Sequence, residues 1–87
     1  MESERLLRAE IIEQRGACSA GHKKGDVFGL SCYCPGGLCG YFYHGIFPNL
    51  QTYEFGGRLP WWRGEELVVT CPDPHNPVTL RITRGKA

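Results

Sequence analysis

The residues of this chain best able to do chemistry are its five cysteines and three histidines, and they are unevenly spread. Cys32, Cys34 and Cys39 crowd into the stretch SCYCPGGLCGYFYHGIF, which also carries His44. Cys18 and His22 share the segment CSAGH, and Cys71 opens the proline-rich run CPDPHNP. Thiolates with an imidazole suit a zinc or iron ion, two neighbouring thiols suit a reversible disulfide, and a thiol at a helix start suits a nucleophile.

For the metal, Cys18 and His22 lie in a turn with Gly21 and Gly25, where both side chains can face one tetrahedral ion. Cys39 and Cys71 could supply the other two ligands, closing a Cys₃His site between distant loops. The strongest zinc signal, paired C-x₂-C, is absent. The plainer reading is a hairpin turn with a small buried Cys and an exposed His. An iron–sulfur cluster on Cys32, Cys34, Cys39 and Cys71 is a weaker match, because that spacing fits none of the usual cluster motifs.

For thiol chemistry the centre is Cys39. A helix over Leu38–Ile46, opened by Pro35-Gly36-Gly37, places Cys39 in its first turn, where free N–H groups and the dipole stabilise a thiolate. Cys34 or Cys71 could then resolve a sulfenic acid or close a disulfide. The plainer reading is a Cys packed as a small apolar residue. His44 lies ~140° around the helix from Cys39, whereas Tyr43 at i+4 sits on the same side.

A third cluster is FGGRLPWWR. Gly56, Gly57 and Arg58 could cradle an anion, but no helix start follows them. Trp61 and Trp62 are adjacent, so one can enter the core while the other faces out. With Arg58, Arg63 and the Tyr41–His44 segment they form a candidate surface for a protein partner, a second copy of the chain or a small molecule. The plainer reading has both aromatics closing the open end of a small sheet. Asp26 and Asp73 follow turn residues and read as turn formers. Neither a Ser-His-Asp set, nor paired carboxylates, nor a dinucleotide fingerprint is present, so whether the chain is an enzyme stays open.

Few elements are needed to position these groups. Residues 4–15 are ambiguous: Ala, Leu, Glu and Arg favour helix, while Leu7, Ala9 and Ile11 alternate as on a strand. Asp26–Ser31 reads as a strand, and ACSAGHKKG becomes a hairpin connection if residues 5–15 are a strand too. Leu38 to about Ile46 is expected to be helical, with Pro48 interrupting or restarting it and Asn49–Phe55 adding a turn or two. ELVVTC and VTLRIT are the clearest strands, joined by the turn CPDPHNP. The order β-β-α-β-β predicts one small α+β domain over residues 1–87, with a mainly antiparallel sheet, one helix after the P-G-G loop, and frayed ends at 1–4 and 85–87.

At 87 residues such a domain buries only about 60–65% of its unfolded surface, so a metal staple would add usefully to a small core. A net charge of +1, spread along the chain, argues against nucleic acid and anionic lipid. The charged MESERLLRAEIIEQRG lacks the apolar core of a signal peptide, and no run approaches the ~20 apolar residues of a membrane span. These features place the chain in the cytoplasm, with its thiols reduced.

Taken together, RGACSAGHKKGDVF, PGGLCGYFYHGIFP, FGGRLPWW and CPDPHNPVTLR resemble a functionally uncharacterised family of small bacterial and archaeal proteins with C-x₃-H-K-x-G-D, P-G-G-L-C, F-G-G-x-x-P-W and C-P-D-P motifs. The resemblance runs from about Arg5 to Arg84. It implies a strand at residues 5–15. It also carries over Cys18, Gly21, His22, Gly25, Asp26, Gly37, Cys39, Pro48, Gly56, Gly57, Pro60, Trp61, Cys71, Pro72 and Asp73. Cys34 departs from the pattern, which has Asp there, and this weakens a Cys34–Cys39 redox pair as the shared function. No activity is implied.

Overall fold

The computed structural model describes residues 6–18, 20–62 and 64–84. The order is β1 (Leu7–Gln14), β2 (Val27–Leu30), α1 (Gly40–Glu54), β3 (Leu67–Thr70) and β4 (Val78–Thr83). The four strands form one sheet in spatial order β2-β1-β4-β3, each neighbouring pair antiparallel. This is the α+β arrangement expected from the sequence. The expected frayed ends, 1–4 and 85–87, fall outside the described residues, as does Arg63.

The strand alternative holds for β1 despite its helix-favouring composition. Leu7, Ala9 and Ile11 project from one face and are buried, with Ala9 opposite Ile82 and Ile11 opposite Leu80 on β4. Burial on one sheet face outweighs a propensity difference of under ~1 kcal/mol per residue. The register shifts between Ile11 and Glu13, where one residue of β1 goes unmatched. On the opposite face Glu10 accepts from Arg8 (3.0 Å) and from its cross-strand partner Arg81 (3.1 Å). These guanidiniums, Arg8 first, hold the Glu10 carboxyl below its ordinary range.

The helix covers the apolar face. Phe42, Ile46, Leu50 and Tyr53 recur at spacings of four, four and three and are all buried, over Ile11, Leu67, Leu80 and Ile82 of the sheet. Here the structure departs from the expected break at Pro48, since α1 runs unbroken from Gly40 to Glu54. Pro48 cannot donate to the turn before it, yet the apolar stripe continues on both sides of it. Packing of Phe42 and Ile46 before it, and of Leu50 and Tyr53 after it, keeps one straight-through element. Thr52 Oγ1 donates to the Pro48 carbonyl (3.0 Å). No helix among the described residues is long and apolar enough to cross a membrane.

Candidate functional site

Three loops meet at one end of the sheet. Because Gln14 pairs with Val78, the loop leaving β1 starts beside the loop that enters β4. Arg15 N–H donates to Pro77 O (2.9 Å), and Ala17 N–H donates to Asn76 Oδ1 (3.0 Å). The β1–β2 loop is also fastened to the helix start, because Cys39 N–H donates to His22 Nε2 (3.1 Å). Gly45 of α1 lies so near Pro72 that a Cβ there would stand 3.3 Å from the ring.

These ties bring Cys18, Cys39 and Cys71 to one cavity of about 390 Å³, together with Tyr41, Asp73 and Asn76. The sequence set them 21 and 32 positions apart, and only the loop contacts unite them. All three thiols are free and half-buried. Among the described residues no group of three His, Cys, Asp or Glu side chains stands in ligating geometry, so the sulfurs ring the cavity without converging on one point.

Cys39 is the N-cap of α1, one position ahead of the first-turn place expected for it. Its backbone is extended (φ −65°, ψ 151°), and Sγ accepts from Phe42 N–H at 3.5 Å. A sulfur thus takes the role usually filled by a Ser or Asp oxygen at the positive end of a helix. Burial chiefly pushes the Cys71 thiol up; a backbone N–H from Asp73 opposes this, and the neighbouring Cys39 and Cys18 sulfurs add to it.

His22 does not line the cavity. It is 7% exposed, its ring packs edge-on to Phe28 at 5.1 Å, and Nε2 is engaged by the Cys39 amide. It is therefore neither the exposed turn residue of the plainer reading nor, in this conformation, a donor aimed at the sulfurs. It orients the backbone that carries Cys39.

Cys32 and Cys34 belong to a different place. Ser31 and Cys34 exchange two backbone hydrogen bonds (2.8 and 3.1 Å), closing a tight turn. Cys32 N–H donates to Glu54 Oε1 at 2.8 Å; Tyr43 lies next to Cys39 as expected, its N–H donating to Cys39 O (2.9 Å), while its hydroxyl donates to Ser31 O at 2.6 Å. Burial first, then Glu54, pushes the Cys32 thiol up to about 11 from 9.0. The fold favours the neutral thiol, so this stabilising preference is complete below pH 9 and is lost as pH rises through 11. At pH 8.5 Cys32 should carry about a hundredfold less thiolate than an ordinary Cys. Glu54→Gln should speed its iodoacetamide labelling there, read by peptide mass spectrometry; an unchanged rate would remove Glu54 as a cause. His44 is exposed and lies outside the cavity.

The tryptophan segment behaves as the adjacency suggested: Trp61 is 72% exposed, whereas Trp62 packs edge-on to Tyr53 at 6.1 Å. Arg58 does not reach for an anion. It donates to the carbonyls of Trp62 (3.1 Å) and Gly64, closing its own loop. Trp61 and Trp62 line a second cavity of about 370 Å³ with Asn49, Glu66 and Val68, which shares no lining residue with the cysteine cavity. Asp26 and Asp73 act as turn formers: Asp26 Oδ2 accepts from Lys23 N–H (2.9 Å), and Asp73 Oδ1 accepts from His75 N–H (2.9 Å) and Asn76 N–H (3.3 Å).

The arrangement defines a small α+β protein whose candidate site is a three-thiol cavity at the start of its only described helix. No family model, curated protein or solved structure matches the chain. Four lining residues were not read as site residues from the sequence: Ala20 and Asn76, Asp73, assigned only a turn, and Tyr41, assigned only to a surface. The only available signal was the nearness of Asp73 to Cys71 in the CPDP turn.

Proposed function

We propose that this protein is a small metal-binding domain in which Cys18, Cys39 and Cys71 hold one zinc or iron ion. The observation that carries this reading is the meeting of three thiols, from three separate loops, at one cavity. A nucleophile needs one sulfur and a disulfide two, but a third sulfur finds its use as a metal ligand. Three thiolates in one cavity repel one another, and a borderline-soft cation relieves that repulsion. Binding would draw the sulfurs inward and fasten the three loops to the helix start, supplementing a modest core. The motif resemblance, which carries over Cys18, His22, Cys39 and Cys71, supports the same choice. His22 contributes by holding the Cys39 amide.

The test is titration of Zn(II) into the full chain, reduced and purified anaerobically. One equivalent is expected to bind. At free metal of 100 times Kd the gain is about 2.7 kcal/mol, raising Tm by about 10–20 °C. A chelator should reverse the rise, and Cys39→Ser should abolish it. No stoichiometric uptake and an unchanged Tm would reject the reading.

One observation favours a second reading, a thiol-redox or nucleophile protein: the Cys39 sulfur caps a helix and faces an open cavity. Iodoacetamide should then label Cys39 fastest of the five cysteines, and mild peroxide should join it to Cys71. Equal labelling rates and no such disulfide would reject it.

A further inference from the structure

We propose that the cavity beside the tryptophans binds an organic cation with a trimethylammonium head group. This site is separate from the cysteine cavity and independent of the metal reading. Trp61, Trp62, Val68, Asn49 and Glu66 enclose about 370 Å³, at the small end of the range of ligand pockets. Both tryptophans of the chain are among these walls. A planar indole carries most of its area on its two faces, so Trp61, at 72% exposed, presents an open aromatic face. Val68, 53% exposed, adds apolar surface to the same cavity. An accessible indole and a carboxylate in one cavity both attract a cation.

Glu66 sets the sign of the ligand, as the one charged side chain among the described residues of the wall. Its ion pair with Arg81 is long, at 4.0 Å, whereas Arg81 donates to Glu10 at 3.1 Å. A neutral apolar ligand would strip water from the Glu66 carboxylate and return nothing, while a cation neutralises it. The nearby guanidiniums are engaged elsewhere. In the adjoining cavity, which shares Trp62 and Glu66, Arg58 donates to the Trp62 and Gly64 carbonyls, and Arg84 stands over the Tyr53 ring at 4.0 Å. A calcium ion would need six or more oxygens, more than Glu66 and Asn49 hold. A primary ammonium is strongly hydrated and loses more water than apolar walls return. A trimethylammonium group is bulky, weakly hydrated and charged, and so matches indole, valine and carboxylate together.

Because both tryptophans line the cavity, their fluorescence reports on it in the unlabelled full chain. The probes are choline and a short peptide bearing trimethyllysine, titrated against potassium chloride at constant ionic strength. The neutral alcohol in which carbon replaces the choline nitrogen tests the role of charge. A saturable change with choline or the peptide is expected, with the alcohol about tenfold weaker or more. Whichever probe binds tighter tells a free small molecule from a protein side chain as the source of the head group. Trp61→Ala and Glu66→Gln fall at exposed positions and should leave circular dichroism and Tm unchanged. Each should weaken choline binding, followed by calorimetry, about tenfold. A response no different from potassium chloride, equal affinity for the neutral alcohol, or unaltered affinity in Glu66→Gln would overturn the proposal.

Discussion

Gly36→Ala is expected to destabilise the protein by about 3 kcal/mol or more, and with it to disperse the cysteine cavity. The chain doubles back through the Ser31–Cys34 turn, which lays Gly36 against Gly29 of β2. Gly36 has φ +61°, and a Cβ added there would lie 2.0 Å from the Gly29 carbonyl oxygen and 2.8 Å from its carbon. A left-handed backbone costs a non-glycine residue on the order of 1–3 kcal/mol. The overlap adds to this, because the atoms in the way are backbone and only a shift of β2 or of the P-G-G loop can relieve it. That loop leads directly to Cys39, so a shift large enough to admit a methyl group also moves the N-cap. Urea unfolding followed by circular dichroism gives the stability, and Zn(II) titration of the same variant gives the site. A loss below about 1 kcal/mol, with unchanged metal binding, would show that the loop does not need this close approach.

Phe42→Ala is the second large effect, at about 3–5 kcal/mol. Phe42 has no exposed surface and belongs to the cluster of Ile11, Leu50, Leu80 and Ile82 between helix and sheet. Truncation removes the ring's burial and leaves a hole that the sheet cannot collapse to fill. A domain of this size has on the order of 4–13 kcal/mol in total, so the variant should be partly or wholly unfolded at 37 °C. Tyr41, one residue earlier and 60% exposed, provides the control. Tyr41→Ala should change stability by no more than about 0.5 kcal/mol, while altering the rim of the cavity it lines. Equal losses for the two variants would contradict the placement of α1 over the sheet.

Local patterning carried much of the architecture. β3 and β4 were legible from β-branched alternation, the hairpin loop from its glycines, and the turn roles of Asp26 and Asp73 from their neighbours. These are properties of a few consecutive residues, and neighbours in sequence suffice to state them. Where composition and periodicity disagreed, as in β1, the alternation of Leu7, Ala9 and Ile11 was the better guide because it reports which face is buried. Pro48 misled in the opposite way. A local rule against proline within a helix yields when buried residues on both sides hold the element together.

The site is another matter. The residue types at Cys18, Cys39 and Cys71, and the helix start after the P-G-G loop, follow from the sequence alone. Their meeting at one cavity, the separation of Cys32 and Cys34 into another turn, and the contact of His22 with the Cys39 amide were decided by tertiary structure. The physical reason is that no local preference joins these loops. They are joined by the Gln14–Val78 register, by the Ala17–Asn76 and Cys39–His22 hydrogen bonds, and by the approach of Gly45 to Pro72. Each of those contacts spans a stretch of chain too long for local patterning to anticipate, and together they turn three scattered cysteines into neighbours.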